Sequence, residues 1–293
     1  MARKKYRIMY RGQELLSPRL DLALKALLVA DGDYELLASL LSCVLDLDLT
    51  PDDVTVTNSE LVQAHEDAKF ARVDVRVRLS AGQHVNVEIQ IGNFFNMEKR
   101  SIFYASKLYT DQMHPKMDYA LICPAIAINI LDYNFLPFAD YHNRYRLKNV
   151  KYDHELTDAF ELNFLEVLKA LKCMDGSMKS LWMRFVGAET EEELDMLAKE
   201  NPIFEKARDK LIYISADEDL RYAIDMREKA EYDYWAGLAT SEAKGRAEGE
   251  TIGMAKGKSD VARNLLSMGM PFDKIVAATG LSNSEIEALQ KGG

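Results

Sequence analysis

Hydrophobic and polar residues alternate strictly along two neighbouring runs of the chain. In residues 72–79, Val73, Val75, Val77 and Leu79 take every second place between Arg72, Asp74, Arg76 and Arg78. In residues 85–91, Val85, Val87, Ile89 and Ile91 alternate with Asn86, Glu88 and Gln90. A period of two puts successive side chains on opposite faces of a strand, and the short segment between the runs contains Gly82. The pattern therefore predicts a β-hairpin. Other stretches follow different periods. Leu20, Leu24, Leu27 and Leu28 recur at helical spacing, as do Leu36, Leu37, Leu40, Leu41 and Val44 after the breaker Asp31-Gly32-Asp33. Pro51-Asp52-Asp53 reads as a turn before a short β-branched strand at residues 54–58. Ile102, Phe103, Leu108 and Met113 predict a helix after the hairpin.

Residues 119–131 form a continuous apolar run, which suits a strand buried on both faces if Pro124 falls at its start or at a bulge. Alternation returns in residues 144–150 and 160–167 and predicts a later strand pair. From Ser177 onward the spacing is helical. Strands before Val167 and helices after it imply an α/β core with a helical C-terminal extension. Gly245, Gly249, Gly253 and Gly257 then recur every four residues. Each costs a helix about 1 kcal/mol relative to alanine, so this segment reads as a frayed linker helix in preference to a close-packing stripe. Beyond it, Ser259-Asp260 could cap a helix ending near Gly269, Pro271 opens a second, Gly280 closes it and Ser282-Asn283-Ser284 caps a third. That order resembles a helix-turn-helix. The expected division is a core at 1–170, a helical extension at 171–236, a linker helix at 237–258 and a small helical tail at 259–293.

Composition narrows the function. A net charge of −10 argues against a protein that coats phosphates over its whole surface. A local basic lining could still come from the N-terminal Arg3, Lys4, Lys5, Arg7 and Arg11, or from Arg72, Arg76, Arg78, Lys99 and Arg100. Cys43, Cys123 and Cys173 lie far apart with no C-x-x-C pair, which favours a reducing, cytoplasmic compartment. The histidines show no metal-ligand spacing, so zinc is not expected. The charged N-terminus does not read as a secretory signal, and the apolar run at 119–131 is too short to span a bilayer; no membrane association is expected.

The chemistry sits in the hairpin. Opposed residues of an antiparallel pair have a constant index sum, and if both apolar sets face one side that sum is even. Asp74 then shares the polar face with Glu88 and Gln90, lying opposite Glu88 at a sum of 162 or opposite Gln90 at 164. Close carboxylates repel unless a cation lies between them, and hard oxygen donors suit Mg²⁺. Such an ion polarises a phosphoryl oxygen and acidifies a bound water, which the Gln90 amide could orient. The plainer alternative is a solvated face on which Arg76 or Arg78 pairs with these acids across the strands.

The residues around the hairpin carry a resemblance. Lys69, Arg72-Val73-Asp74-Val75, Gly82, Val87-Glu88-Ile89-Gln90, and Arg100 with Tyr104 on the next helix together resemble the core of the recombination-promoting nuclease (transposase-type) family of the PD-(D/E)XK superfamily. The likeness extends along nearly the whole chain. Asp21 and Lys25 match the D-x-x-x-K of the family's opening helix, with Leu24 where phenylalanine is usual. The resemblance implies a restriction-endonuclease-like core, a mixed sheet flanked by helices, and metal-dependent cleavage of DNA that promotes recombination. It implies that Asp74 and Glu88 are metal ligands. Gln90 stands where many superfamily members have lysine, which leaves open whether Lys69 or another cation offsets charge in the transition state. Arg100 and Tyr104 would contact DNA or brace the site, with Asp21 and Lys69 as supporting residues. Two other readings stand beside this one: a DNA-binding protein that cleaves weakly or not at all, and an oligomeric regulatory protein associating through the glycine stripe.

Overall fold

A computed structural model of the chain describes residues 6–57, 74–91, 96–173 and 175–291. They fall into two compact units, Met1–Met226 and Arg227–Gly293. The first begins with an antiparallel hairpin, β1 (Arg7–Tyr10) and β2 (Gln13–Leu16), where the sequence suggested only a basic arm. Its arginines are committed to carboxylates. Arg7 reaches Asp225 at 3.0 Å, and Arg11 lies 3.7 and 3.8 Å from Glu191 and Asp195. These two residues are thus used in folding. Helices α1 (Asp21–Val29) and α2 (Glu35–Leu45) follow, separated by a short 3-10 turn in which Asp31 has a positive φ of 62°. The predicted breaker at Asp31-Gly32-Asp33 is therefore where the chain turns.

The central sheet contains β3 (Val54–Val56), β4 (Val75–Leu79), β5 (His84–Gln90), β6 (Ala125–Leu131), β7 (His142–Lys148) and β8 (Glu155–Glu166). Their order across the sheet is β3-β4-β5-β6-β8-β7. The pairs β3–β4, β4–β5 and β7–β8 are antiparallel, whereas β5–β6 and β6–β8 are parallel. Helix α3 (Met97–Thr110) is the crossover between β5 and β6. Pro124 immediately precedes β6, whose seven residues are all buried, as a central strand covered on both faces requires. The turn between β4 and β5 needs its glycine. Gly82 has φ +98°, and a Cβ there would lie 2.9 Å from Cys123 Sγ.

One sheet face packs on the main core. Val75, Val77, Val85, Val87, Ile128 and Ile130 meet the leucines of α1 and α2 there. The short α4 (Val167–Ala170) leads to α5 (Met178–Val186), α6 (Glu191–Glu200) and α7 (Pro202–Ser215), whose Trp182, Phe185 and Phe204 complete that core. The other face is covered by α3. Ser101 and Ala105 lie on its buried side with Met97 and Leu108, and Ser101 Oγ accepts from Asn129 Nδ2 of β6 at 2.8 Å. Ile102 and Phe103, which the spacing suggested as inward, are 53% and 63% exposed. The small side chains at 101 and 105, not the bulkier neighbours, let the helix approach the strands. As a result the middle of the hairpin's polar face is withdrawn from solvent, while Arg78 stays exposed. Asn86 and Glu88 are buried beneath α3.

Helix α8 (Glu218–Ser267) contains the boundary between the two units and runs unbroken through the glycine repeat. Ser259 does not cap a new helix; its hydroxyl donates to the Ala255 carbonyl at 3.0 Å, a bond internal to the helix. The end of α8 packs with α9 (Phe272–Thr279) and α10 (Asn283–Lys291) around Ala262, Ile275 and Ile286. Gly280, with φ +70°, ends α9 in the left-handed conformation. Ser282 and Glu285 form the reciprocal cap of α10.

A buried ion pair ties three segments of the first unit together. Arg19, just before α1, lies 3.6 Å from Asp132, just after β6, and both side chains are nearly fully buried. Arg19 also donates to the Gly187 carbonyl at 2.5 Å and to Glu189 at 2.7 Å. Arg19→Ala removes the countercharge of a buried carboxylate and is expected to cost about 3–5 kcal/mol, read from the urea midpoint. In α8, a Cβ added at Gly245, Gly249, Gly253 or Gly257 meets no atom of the described residues within 4 Å beyond its own stretch of helix. Each glycine-to-alanine change is therefore expected to stabilise the helix by about 1 kcal/mol, raising helical circular dichroism on heating; a loss of helicity would reveal a packed glycine face.

Candidate active site

The register of the hairpin decides which polar groups meet. Val75 pairs with Val87 and Arg76 with Asn86, so the index sum is 162 and Asp74 stands opposite Glu88. Both carboxylates project on the face beneath α3. With Asn86 and Tyr104 they line one small cavity of about 10 Å³. That is close to the space one water or one small ion needs, about 10–15 Å³. The Asn86 Oδ1 atom is buried and has no hydrogen-bond partner among the described residues. Two carboxylates and an unsatisfied amide oxygen make a hard, all-oxygen donor set that fits a divalent cation such as Mg²⁺.

Arginines counter the acids from either side. Arg76 Nε donates to Asp74 Oδ2 at 2.7 Å. Arg100 spans two residues of β5: Nη1 donates to Gln90 Oε1 at 2.6 Å and Nη2 donates to Glu88 Oε1. Arg100 and Tyr104 are one helical turn apart on α3, so both lean toward the same strand. Arg100 bridges Glu88 and Gln90, whereas Tyr104 lines the cavity. Gln90 turns its amide nitrogen to the Ile91 carbonyl at 3.3 Å and gives its oxygen to Arg100. It does not line the cavity.

Behind Arg100, Tyr133 is buried in an apolar cluster with Met97, Leu131 and Phe164. Burial pushes its phenol up to about 12, with Arg100 and Glu88 acting on it in opposite directions. Its hydroxyl, like Arg100 Nε, finds no hydrogen-bond partner among the described residues.

The structure thus unites Asp74, Glu88 and Tyr104 around one cavity and links Gln90 and Arg100 to its edge. Asp21 opens α1, where Oδ1 accepts from the Leu22 amide at 2.8 Å, and Lys25 is buried one turn later. Neither lines the cavity, although α1 packs on β5. Lys69, Arg72 and Val73 lie outside the described residues. Asn86 was not singled out by sequence reasoning. Its signal was its place two residues before Glu88, on the same strand face.

A family model of PD-(D/E)XK nuclease family transposases matches residues 18–241. A second, of the C-terminal HTH domain of the Rpn/YhgA-like nuclease family, matches residues 256–291. The chain belongs to the PD-(D/E)XK nuclease family transposases, and its mixed sheet flanked by helices is the restriction-endonuclease-like α/β fold. Neither a curated protein nor a solved structure matches it. No described helix is long and apolar enough to cross a membrane.

Removing the guanidinium beside a buried carboxylate tests the Arg100 brace. Arg100→Gln is expected to lower stability by about 3 kcal/mol, and the double replacement Glu88→Gln/Arg100→Gln by less than Arg100→Gln alone. Denaturant midpoints at one pH give both values; additive losses would show that the two side chains are not coupled.

Proposed function

We propose that this protein is a divalent-metal-dependent DNA endonuclease whose cleavage promotes recombination, with Asp74 and Glu88 as the residues that hold the cation. The observation that carries this reading is the shared cavity, where two carboxylates from adjacent strands converge with the orphaned oxygen of Asn86. Family membership supports the nuclease chemistry, and the helix-turn-helix tail supports DNA as the partner.

When bound, Mg²⁺ or a similar ion supplies positive charge to the scissile phosphoryl group and lowers the pKa of a water. The chain's own groups do the rest. Asp74 and Glu88 provide the negative charge that holds the ion, and Asn86 adds a neutral oxygen. Arg76 and Arg100 now neutralise these acids. Both arginines can be shared with a phosphate, because a guanidinium has five donors. Gln90 acts here mainly by fixing the fork of Arg100, and so positions a cation where lysine stands in many superfamily members. Tyr104 closes the cavity from α3. Asp21 and Lys69 remain supporting candidates by resemblance.

Supercoiled plasmid incubated with the full chain and Mg²⁺ is expected to be nicked or linearised, and excess EDTA to stop the reaction. Asp74→Ala and Glu88→Ala should each slow cleavage on the order of 10²–10³-fold, since each removes a principal source of electrostatic stabilisation. Parental rates in both variants would remove this site from the chemistry.

A further inference from the structure

Arg76 has a second neighbourhood besides Asp74. On the same α3-covered face it lines a larger cavity of about 590 Å³, between the β3–β4–β5 end of the sheet and the C-terminal end of α3. Arg78, His84 and His114 add basic or nitrogen-bearing walls, against one carboxylate among the described lining residues, Asp111. Leu108, Met117 and Leu121 supply an apolar side, and Thr55 and Thr57 a hydroxyl side. The wall formed by the segment after α3 is pinned in place. Gln112 Nε2 donates to the Cys123 carbonyl, and the Cys123 amide donates back to Gln112 Oε1, both at 3.0 Å. That wall of the cavity is therefore held by side-chain-to-backbone bonds between its two ends.

Its chemistry is specific enough to name a ligand class. The volume lies within the range of about 300–1,000 Å³ typical of small-ligand sites. A double helix cannot enter a space of that size, but a single nucleotide can. A guanidinium can pair with phosphate oxygens while an apolar wall covers the face of a flat base, so arginines beside leucine and methionine side chains suit a nucleotide. Arg76 is common to both neighbourhoods: the residue lines this cavity, and its Nε donates to Asp74 of the acid pair. We propose that this cavity receives an unpaired nucleotide of the DNA strand, with its phosphate at Arg76 and Arg78 and its base against Leu108, Met117 and Leu121. The enzyme would then engage frayed, flipped or single-stranded DNA in preference to continuous duplex. This rests on the nuclease reading only for what happens next: a strand held here is led past Arg76 to the carboxylates.

Cysteine labelling tests occupancy without any cleavage. Cys123 lines the cavity, Cys173 is exposed elsewhere, and burial pushes the Cys43 thiol up to about 12, which keeps it unreactive. The full chain is labelled with iodoacetamide in EDTA, with a 12-nucleotide oligothymidylate or a blunt duplex, and the modified peptides are quantified. With the single strand at ten times its Kd, labelling of Cys123 is expected to slow about tenfold while Cys173 is unchanged. Blunt duplex should leave Cys123 labelling as it was. Arg78→Glu, at an exposed position, should raise the Kd for the single strand at least about tenfold. Equal protection by both nucleic acids, protection by neither, or unchanged single-strand affinity in Arg78→Glu would each overturn the proposal. Because no metal is present, these outcomes are independent of whether the plasmid is cut.

Discussion

The antiparallel pairing of Val75 with Val87 is the constraint from which the candidate centre follows. It places Val75, Val77, Val85 and Val87 against the main core, and so commits Asp74, Arg76, Asn86 and Glu88 to the opposite face. A slip of one residue would drive the acids into the core and the valines under α3. The hydrophobic effect enforces the register, and the register in turn opposes two carboxylates that would repel each other if left alone. The energy that holds them together comes from apolar burial on the far side of the same strands.

Helix α3 converts that strand face into an enclosed site. Its small residues Ser101 and Ala105 let it lie close to the sheet, with Ser101 joined to Asn129 of β6. Arg100 and Tyr104 are then carried over β5. Enclosure raises the cost of uncompensated charge, which is why each acid meets an arginine. The same helix continues toward the larger cavity at its C-terminal end, so one element covers the acid pair and bounds the proposed nucleotide pocket. Arg76, between the two, connects the chemistry of one with the binding surface of the other.

The second unit is built on different physics. Its core is a small cluster around Ala262, Ile275 and Ile286, and its turns depend on Gly269 and Gly280 with positive φ. The glycine repeat of α8 lies in exposed helix with open space where side chains would be. Glycine spacing there neither breaks the helix nor marks a contact among the described residues.

Much of this could be read from the order of residues alone. A period of two specified the hairpin and the shared face of Asp74 and Glu88, because alternation and burial leave few registers open. The uninterrupted apolar run specified β6 as a central strand, and Gly280 and Ser282 marked the ends of the tail helices. Tertiary structure decided what lies on top of the strands. Nothing in the local pattern shows that α3 turns Ser101 and Ala105 inward, that Arg100 bridges Glu88 and Gln90, or that the Asn86 oxygen finds no partner among the described residues. Nor does it show that Arg7 and Arg11 are occupied by acids almost two hundred residues or more away along the chain. Periodicity reports which side of an element faces inward, whereas the partner it meets there depends on packing between segments distant in sequence.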